Sequence, residues 1–266
     1  MIPKRRAECQ NNPAVWRLVV FLVVLPGLAA SEPARPVPEV QAAVEAFVAR
    51  LADVSIGNLV IEQDITLYHP DGRHQQSTGE QRVSFKLPQR QRVEQKLEGH
   101  REVRLSVGDR VWIRQADGKT YEMPAARPGG DRTHLLVPFR RSTADLLAEW
   151  RARGVRDDVS HRTRVGNRTA LVIGARAGDR DVPAVWFDRE YGVLRIVSRE
   201  RLPTGPALLD VTFSEHRQLQ GGFYFPYRQE VFVDGRLLLR ITVRAVAVDT
   251  NLPDALFDPE ALARER

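Results

Sequence analysis

The apolar positions of the chain recur first at helical spacing and then, for most of its length, at alternate positions. Over residues 39–54, Val40, Val44, Phe47, Leu51 and Val54 stand four, three, four and three apart, which predicts an amphipathic helix. Glu39, Gln41, Glu45, Arg50 and Asp53 occupy the rest of its surface. The period then changes to two. Leu59, Ile61, Ile65 and Leu67 alternate with Glu62, Asp64 and Thr66, the pattern of a half-buried strand that ends at the turn Pro70-Asp71-Gly72.

Strand-like runs follow at 77–87, 91–97, 101–107, 110–114 and 120–123, and again at 159–165, 168–174, 183–188, 193–201, 208–216, 223–233 and 236–248. Gly108-Asp109, Asp117-Gly118, Gly166-Asn167, Gly221-Gly222 and Asp234-Gly235 separate them, the last being a strong hairpin signal. Short strands in succession with few helices between them predict an antiparallel meander. Between the two groups, residues 142–154 read as a second helix. Ser142 caps its start with Asp145 three residues on, Gly154 ends it, and Leu146, Leu147 and Trp150 form its apolar face. The Pro- and Gly-rich stretch 124–141 before it reads as a loop. Each half alone would be a sheet with an uncovered apolar face, so one domain over 32–266 is expected. A sheet of about a dozen strands either closes on itself or curls into a half barrel.

The first 31 residues form a separate unit. Lys4, Arg5 and Arg6 precede the apolar run Leu18–Leu25, followed by Pro26, Gly27, Ala29, Ala30 and Ser31. That order predicts a cleavable secretory signal, with an uncleaved membrane anchor as the alternative, and the run is shorter than the roughly 20 residues of a membrane-spanning helix. The sole Cys, Cys9, precedes the apolar run, so a lipid-modified cysteine after cleavage is not expected. The anticipated product is a soluble periplasmic protein without a lipid anchor.

Charge adds little. The chain carries 40 Lys plus Arg against 34 Asp plus Glu, a net +6, and +3 of it lies within residues 1–31. The cations are spread among acids rather than clustered, which argues against nucleic acid as a partner. Only four are Lys, at 4, 86, 96 and 119. Catalytic and metal chemistry find no foothold. His69, His74, His100, His134, His161 and His216 fall in turns or on polar strand faces and read as surface residues. No G-x-S-x-G and no P-loop occurs, Asp157-Asp158 reads as a solvated pair, and Asn167-Arg168-Thr169 lies in a tight hairpin. No enzyme, metal site or cofactor is expected.

Several weak motifs in a definite order resemble the periplasmic lipoprotein-carrier superfamily of Gram-negative bacteria, the LolA-type carriers. After the signal and the helix come a long strand, Gly79–Lys86 running into Pro88 and Arg92, and Val107-Gly108-Asp109-Arg110-Val111-Trp112-Ile113. The second half holds Val185-Trp186-Phe187-Asp188 with Tyr191-Gly192, then Gly222-Phe223-Tyr224-Phe225-Pro226 and Leu252-Pro253-Asp254-Ala255-Leu256-Phe257. The resemblance covers nearly all of 39–260. It implies a mainly β protein with a few helices: an open antiparallel half barrel of about 11–13 strands with a helical lid. It further implies a monomeric carrier for a lipid or an acylated lipoprotein, moving cargo from an inner-membrane donor to an outer-membrane acceptor. The cavity would be lined by Phe47 and Leu51 from the first helix, Ile61, Ile65, Phe85 and Val93 from the sheet, and Leu146, Leu147 and Trp150 from the second helix. Arg92 falls where such carriers place an arginine that bonds the lid backbone and locks it. An envelope-stress sensor on the same fold, or a structural protein with a filled barrel, remain the alternatives.

Overall fold

A computed structural model describes residues 36–124, 138, 141–202 and 205–265. The signal segment, most of the loop 124–141 and His134 lie outside the described residues. The rest is one antiparallel sheet of 13 strands in the order β6-β5-β4-β3-β2-β1-β13-β12-β11-β10-β9-β8-β7. The strands are β1 (Asn58–Tyr68), β2 (Gln75–Lys86), β3 (Arg90–Leu97), β4 (His100–Val107), β5 (Arg110–Arg114), β6 (Thr120–Pro124), β7 (Ser160–Val165), β8 (Arg168–Ile173), β9 (Ala184–Asp188), β10 (Gly192–Leu202), β11 (Gly205–Gln218), β12 (Tyr224–Val233) and β13 (Arg236–Val248). Two meanders, β1–β6 and β7–β13, are joined through the pairing of β1 with β13, and β6 and β7 form the two edges. The barrel is not closed.

Helix α1 (Pro38–Arg50) ends earlier than the apolar stripe suggests, because the chain turns at 51–53 and only then buries Leu51 and Val54. Helix α2 (Thr143–Ala152) starts as expected, with Ser142 and Asp145 exchanging both bonds of a capping box. At the β12–β13 hairpin, Asp234 and Gly235 both take positive φ, 48° and 76°, as a two-residue turn matched to strand twist requires. The sequence pattern did not predict the C-terminal cover: a 3-10 turn at Asp254–Phe257 and helix α3 (Pro259–Arg264). Among the described residues no helix is long and apolar enough to cross a membrane.

Directly opposed residues on paired strands share a face. The row Val60, Ser84, Arg92, Leu105 and Trp112 therefore lies on one face, and Leu59 with Phe85 and Ile61 with Val83 and Val93 on the other. Helices α1 and α2 cover the second face, and the C-terminal turn and α3 cover part of the first. One buried cluster joins Phe85 on β2, Val44 and Phe47 on α1, and Ile173 on β8. β2 and β8 are seven ladder steps apart, which is about 34 Å in a flat sheet. A 13-residue helix can pack against both only if the sheet curls around it.

The arginine excess is absorbed largely at the sheet surface. Arg240 and Arg228 share Glu230, Arg244 reaches Asp64 and Glu80, and Arg195 makes a two-point pair with Asp210 while lying over the Trp186 ring. Such exposed pairs each contribute at most about 1 kcal/mol. They set solubility and register rather than a binding site.

Candidate ligand-binding face

The helix-covered face gathers most of the predicted cavity residues. Phe47, Leu51, Ile61, Phe85, Leu146, Leu147 and Trp150 belong to one buried cluster, and Val93 packs against it while half-buried. Ile65 shares this face but not this cluster. It lies four residues past Ile61, about 13 Å along β1, in a separate group with Leu67 and Leu97. Gln63, Gln81 and Gln95 separate the two groups as a chain of side-chain amides, Gln63 Nε2 donating to Gln81 at 2.5 Å and Gln81 Nε2 to Gln95 at 2.9 Å.

The cluster is closed. Phe47 and Trp150 meet the Phe187 ring edge-on at 5.2 and 5.4 Å. Between them and Leu146, Val193, Phe213 and Phe223 remains a void of about 20 Å³, room for one water. Gly192 allows this approach. Its φ is +82°, and a Cβ there would stand 2.8 Å from the Phe47 ring.

The C-terminal end of α1 is tied down by a residue that the sequence reading left on the solvent side. The Arg50 guanidinium donates to the Gly222 carbonyl at 2.7 Å and to the Glu190 carbonyl, with its charge 5.3 Å from the Phe47 ring centre. Partial burial lowers its pKa, and Glu190, Tyr224 and Asp188 only partly offset this. Its position three residues after Phe47 is the sequence signal that could have marked it.

Beneath this contact lies a corner of charged and aromatic groups. Asp188 accepts two bonds from Arg168 at 2.8 and 3.0 Å and two from the backbone N–H groups of Glu190 and Tyr191. Burial pushes its pKa up, but these donors outweigh it and hold the carboxylate below its usual range. Arg168 also lies 3.8 Å over the Tyr191 ring, which stacks on His216 at 4.6 Å. His216 is thus not a solvated surface residue. Desolvation pushes its pKa down to about 4, so it is neutral near pH 7. Alongside α1 and β7–β9 opens a cleft of about 440 Å³ lined by Glu39, Arg162, Asn167, Arg168 and Glu190. Most of its charges already pair with one another: Arg162 with Glu39, and Arg168 with Asp188 and Glu190.

Arg92 does not reach the lid. It is 3% exposed on the opposite face, bonding Glu94, Glu265 and the Leu256 carbonyl. Strand alternation explains this: Val93 points toward the helices, so Arg92 must point away. It fixes the C-terminal segment instead. Among the described residues no three His, Cys, Asp or Glu side chains converge to hold a metal.

No protein-family profile matches the chain, and no curated protein does. Solved structures do. A domain from Vibrio parahaemolyticus named for outer membrane lipoprotein sorting superposes with a TM-score of 0.55 at 13% identity, over 84% of this chain and 98% of its own. A DUF1329 family protein from Desulfovibrio piger gives 0.55 and 13%, over 86% and 100%. A LolA superfamily protein from Nitrosomonas europaea gives 0.50 and 11%, over 85% and 99%.

Proposed function

We infer a function from the LolA-like fold of the chain, an unclosed antiparallel barrel with helices on its inner face. We propose that it is an exported binding or carrier protein that takes the acyl chain of a lipid or lipoprotein between α1, α2 and the sheet. In this reading residues 1–31 are a signal removed on export and residues 32–266 form one periplasmic domain. The observation that carries it is the helix-capped apolar cluster on a sheet whose two end strands, among the described residues, do not pair with each other, so that the helices form the cover over the apolar face. The names of the Vibrio and Nitrosomonas structures, which speak of lipoprotein sorting and the LolA superfamily, support the same class of cargo. No catalytic step is assigned.

Native mass spectrometry of the protein, purified from the periplasm without detergent, tests the proposal. The expected result is an added lipid or fatty-acid mass that solvent removes and a fluorescent acyl probe replaces. Phe85→Asp and Leu147→Asp should abolish probe uptake, and unchanged uptake in both variants would remove the cavity assignment. One observation favours a second reading. The void of about 20 Å³ fits a filled barrel that binds a protein partner, and an empty mass with no probe uptake would establish that reading instead.

A further inference from the structure

Among the described residues, the apolar helix-covered face holds two uncharged buried donors without partners, Gln229 Nε2 and Trp150 Nε1, beside the Nε groups of Arg50 and Arg153 on the two helices. Gln229 is 7% exposed and Trp150 is 1% exposed. Buried N–H groups are almost always paired, and an unpaired one carries its full desolvation penalty. The same face shows that its amides can pair, since Gln63, Gln81 and Gln95 bond one another across three strands. Gln229 is therefore an exception within its own surroundings.

The two donors stand around one residue. Gln229 lies directly opposite Phe213 on β11 and Ile241 on β13, and Phe213 and Trp150 both line the small void under α2. We infer that Gln229 and Trp150 receive the head of the acyl ligand, which carries a neutral carbonyl acceptor: an ester or amide. Both donors are uncharged, so they recognise a carbonyl oxygen and supply no countercharge for a phosphate. The inference rests on the acyl-binding reading and specifies which end of the ligand enters.

Three ligands of similar length separate the terms: dodecane, methyl laurate and laurate, each competing with a fluorescent acyl probe on the full-length protein. In Gln229→Leu the affinity for methyl laurate should fall about 3- to 10-fold, that for dodecane should stay unchanged, and thermal stability without ligand should not drop. Trp150→Phe should show the same selectivity, and it carries the test if Gln229→Leu does not fold. Equal changes for dodecane and methyl laurate, or no change for either, would overturn the carbonyl assignment while leaving acyl binding intact. Laurate bound more tightly than methyl laurate would replace the ester or amide with a carboxylate and overturn the neutral-head claim. A wild-type protein that binds none of the three would overturn the underlying reading as well.

Discussion

Replacing Arg50 by Met keeps the aliphatic stem beside Phe47 and removes the two bonds to the Gly222 and Glu190 carbonyls. A bond from a charged donor contributes about 1.5–3 kcal/mol when buried, and partial solvent exposure cuts that, so both together are worth about 2 kcal/mol. The apolar face of α1 holds far more. Val40, Val44 and Phe47 of α1 and Leu51 at its C-cap are all at most 3% exposed. At about 1.5–3 kcal/mol each, they contribute about 6–12 kcal/mol. Arg50→Met should thus leave the helix docked but raise the population of its lifted state about 30-fold. If lifting is what admits the ligand, apparent affinity scales with that population and the acyl probe should bind about 30-fold more tightly. Hydrogen exchange of the α1 amides should accelerate by the same factor. Faster exchange with unchanged affinity would show that the ligand does not enter under α1. If neither changed, Arg50 would not be a latch.

Three further outcomes follow from the same geometry. Gly192→Ala should destabilise by about 2 kcal/mol, because its Cβ meets the Phe47 ring at 2.8 Å with φ at +82°, and adding Phe47→Leu should recover part of the loss in urea unfolding. No recovery in the double variant would mean that the strain lies elsewhere. His216 binds its proton at about 4 when folded against an ordinary 6.5, so stability is full above pH 6.5 and falls by about 3 kcal/mol as the pH drops from 6.5 to 4. His216→Gln should flatten that stretch of the urea midpoint against pH, and an identical slope would refute the assignment. Arg92→Met should expose the α3 region to proteolysis while leaving probe affinity unchanged, since its partners Glu265 and Leu256 lie on the far face; weakened probe binding would return it to the lid.

Strands and helices were legible where local chemistry decides them. The run 236–248 and the turn Asp234-Gly235 appear as read, and Ser142 with Asp145 caps α2 as its spacing requires. What depended on distant pairing was not legible. Alternation along β1 puts Ile61 and Ile65 on one face, but it does not say how far the helices extend over that face. The pairing of β1 with β13 brings Asp249 back to the backbone of Gly57 and Asn58, and Leu252, Phe257 and Leu262 then fold onto Val60 and Leu105. A six-residue helix held by such contacts has too little period of its own to be recognised. Arg92 shows a different limit. Placing Val93 and Arg92 on one side contradicted the period of two, and the structure decided for Val93.

An unclosed sheet suits a protein that must both hold and give up an apolar chain. A closed barrel can widen only by breaking ladder bonds. Among the described residues β6 and β7 are not paired with each other, so the curl can relax without breaking a ladder between them, and the helix contacts resist it. Ten methylenes taken from water contribute about 8 kcal/mol. Lifting the apolar face of α1 costs about 6–12 kcal/mol by the same measure. A ligand that displaces α1 therefore exchanges one apolar contact for another of equal size. Neither state is deep. Two orphaned donors that gain a partner, or one latch arginine that loses its carbonyls, are then large enough to choose between them. In a protein built this way, specificity rests on its few polar groups, while the apolar bulk only makes the exchange affordable.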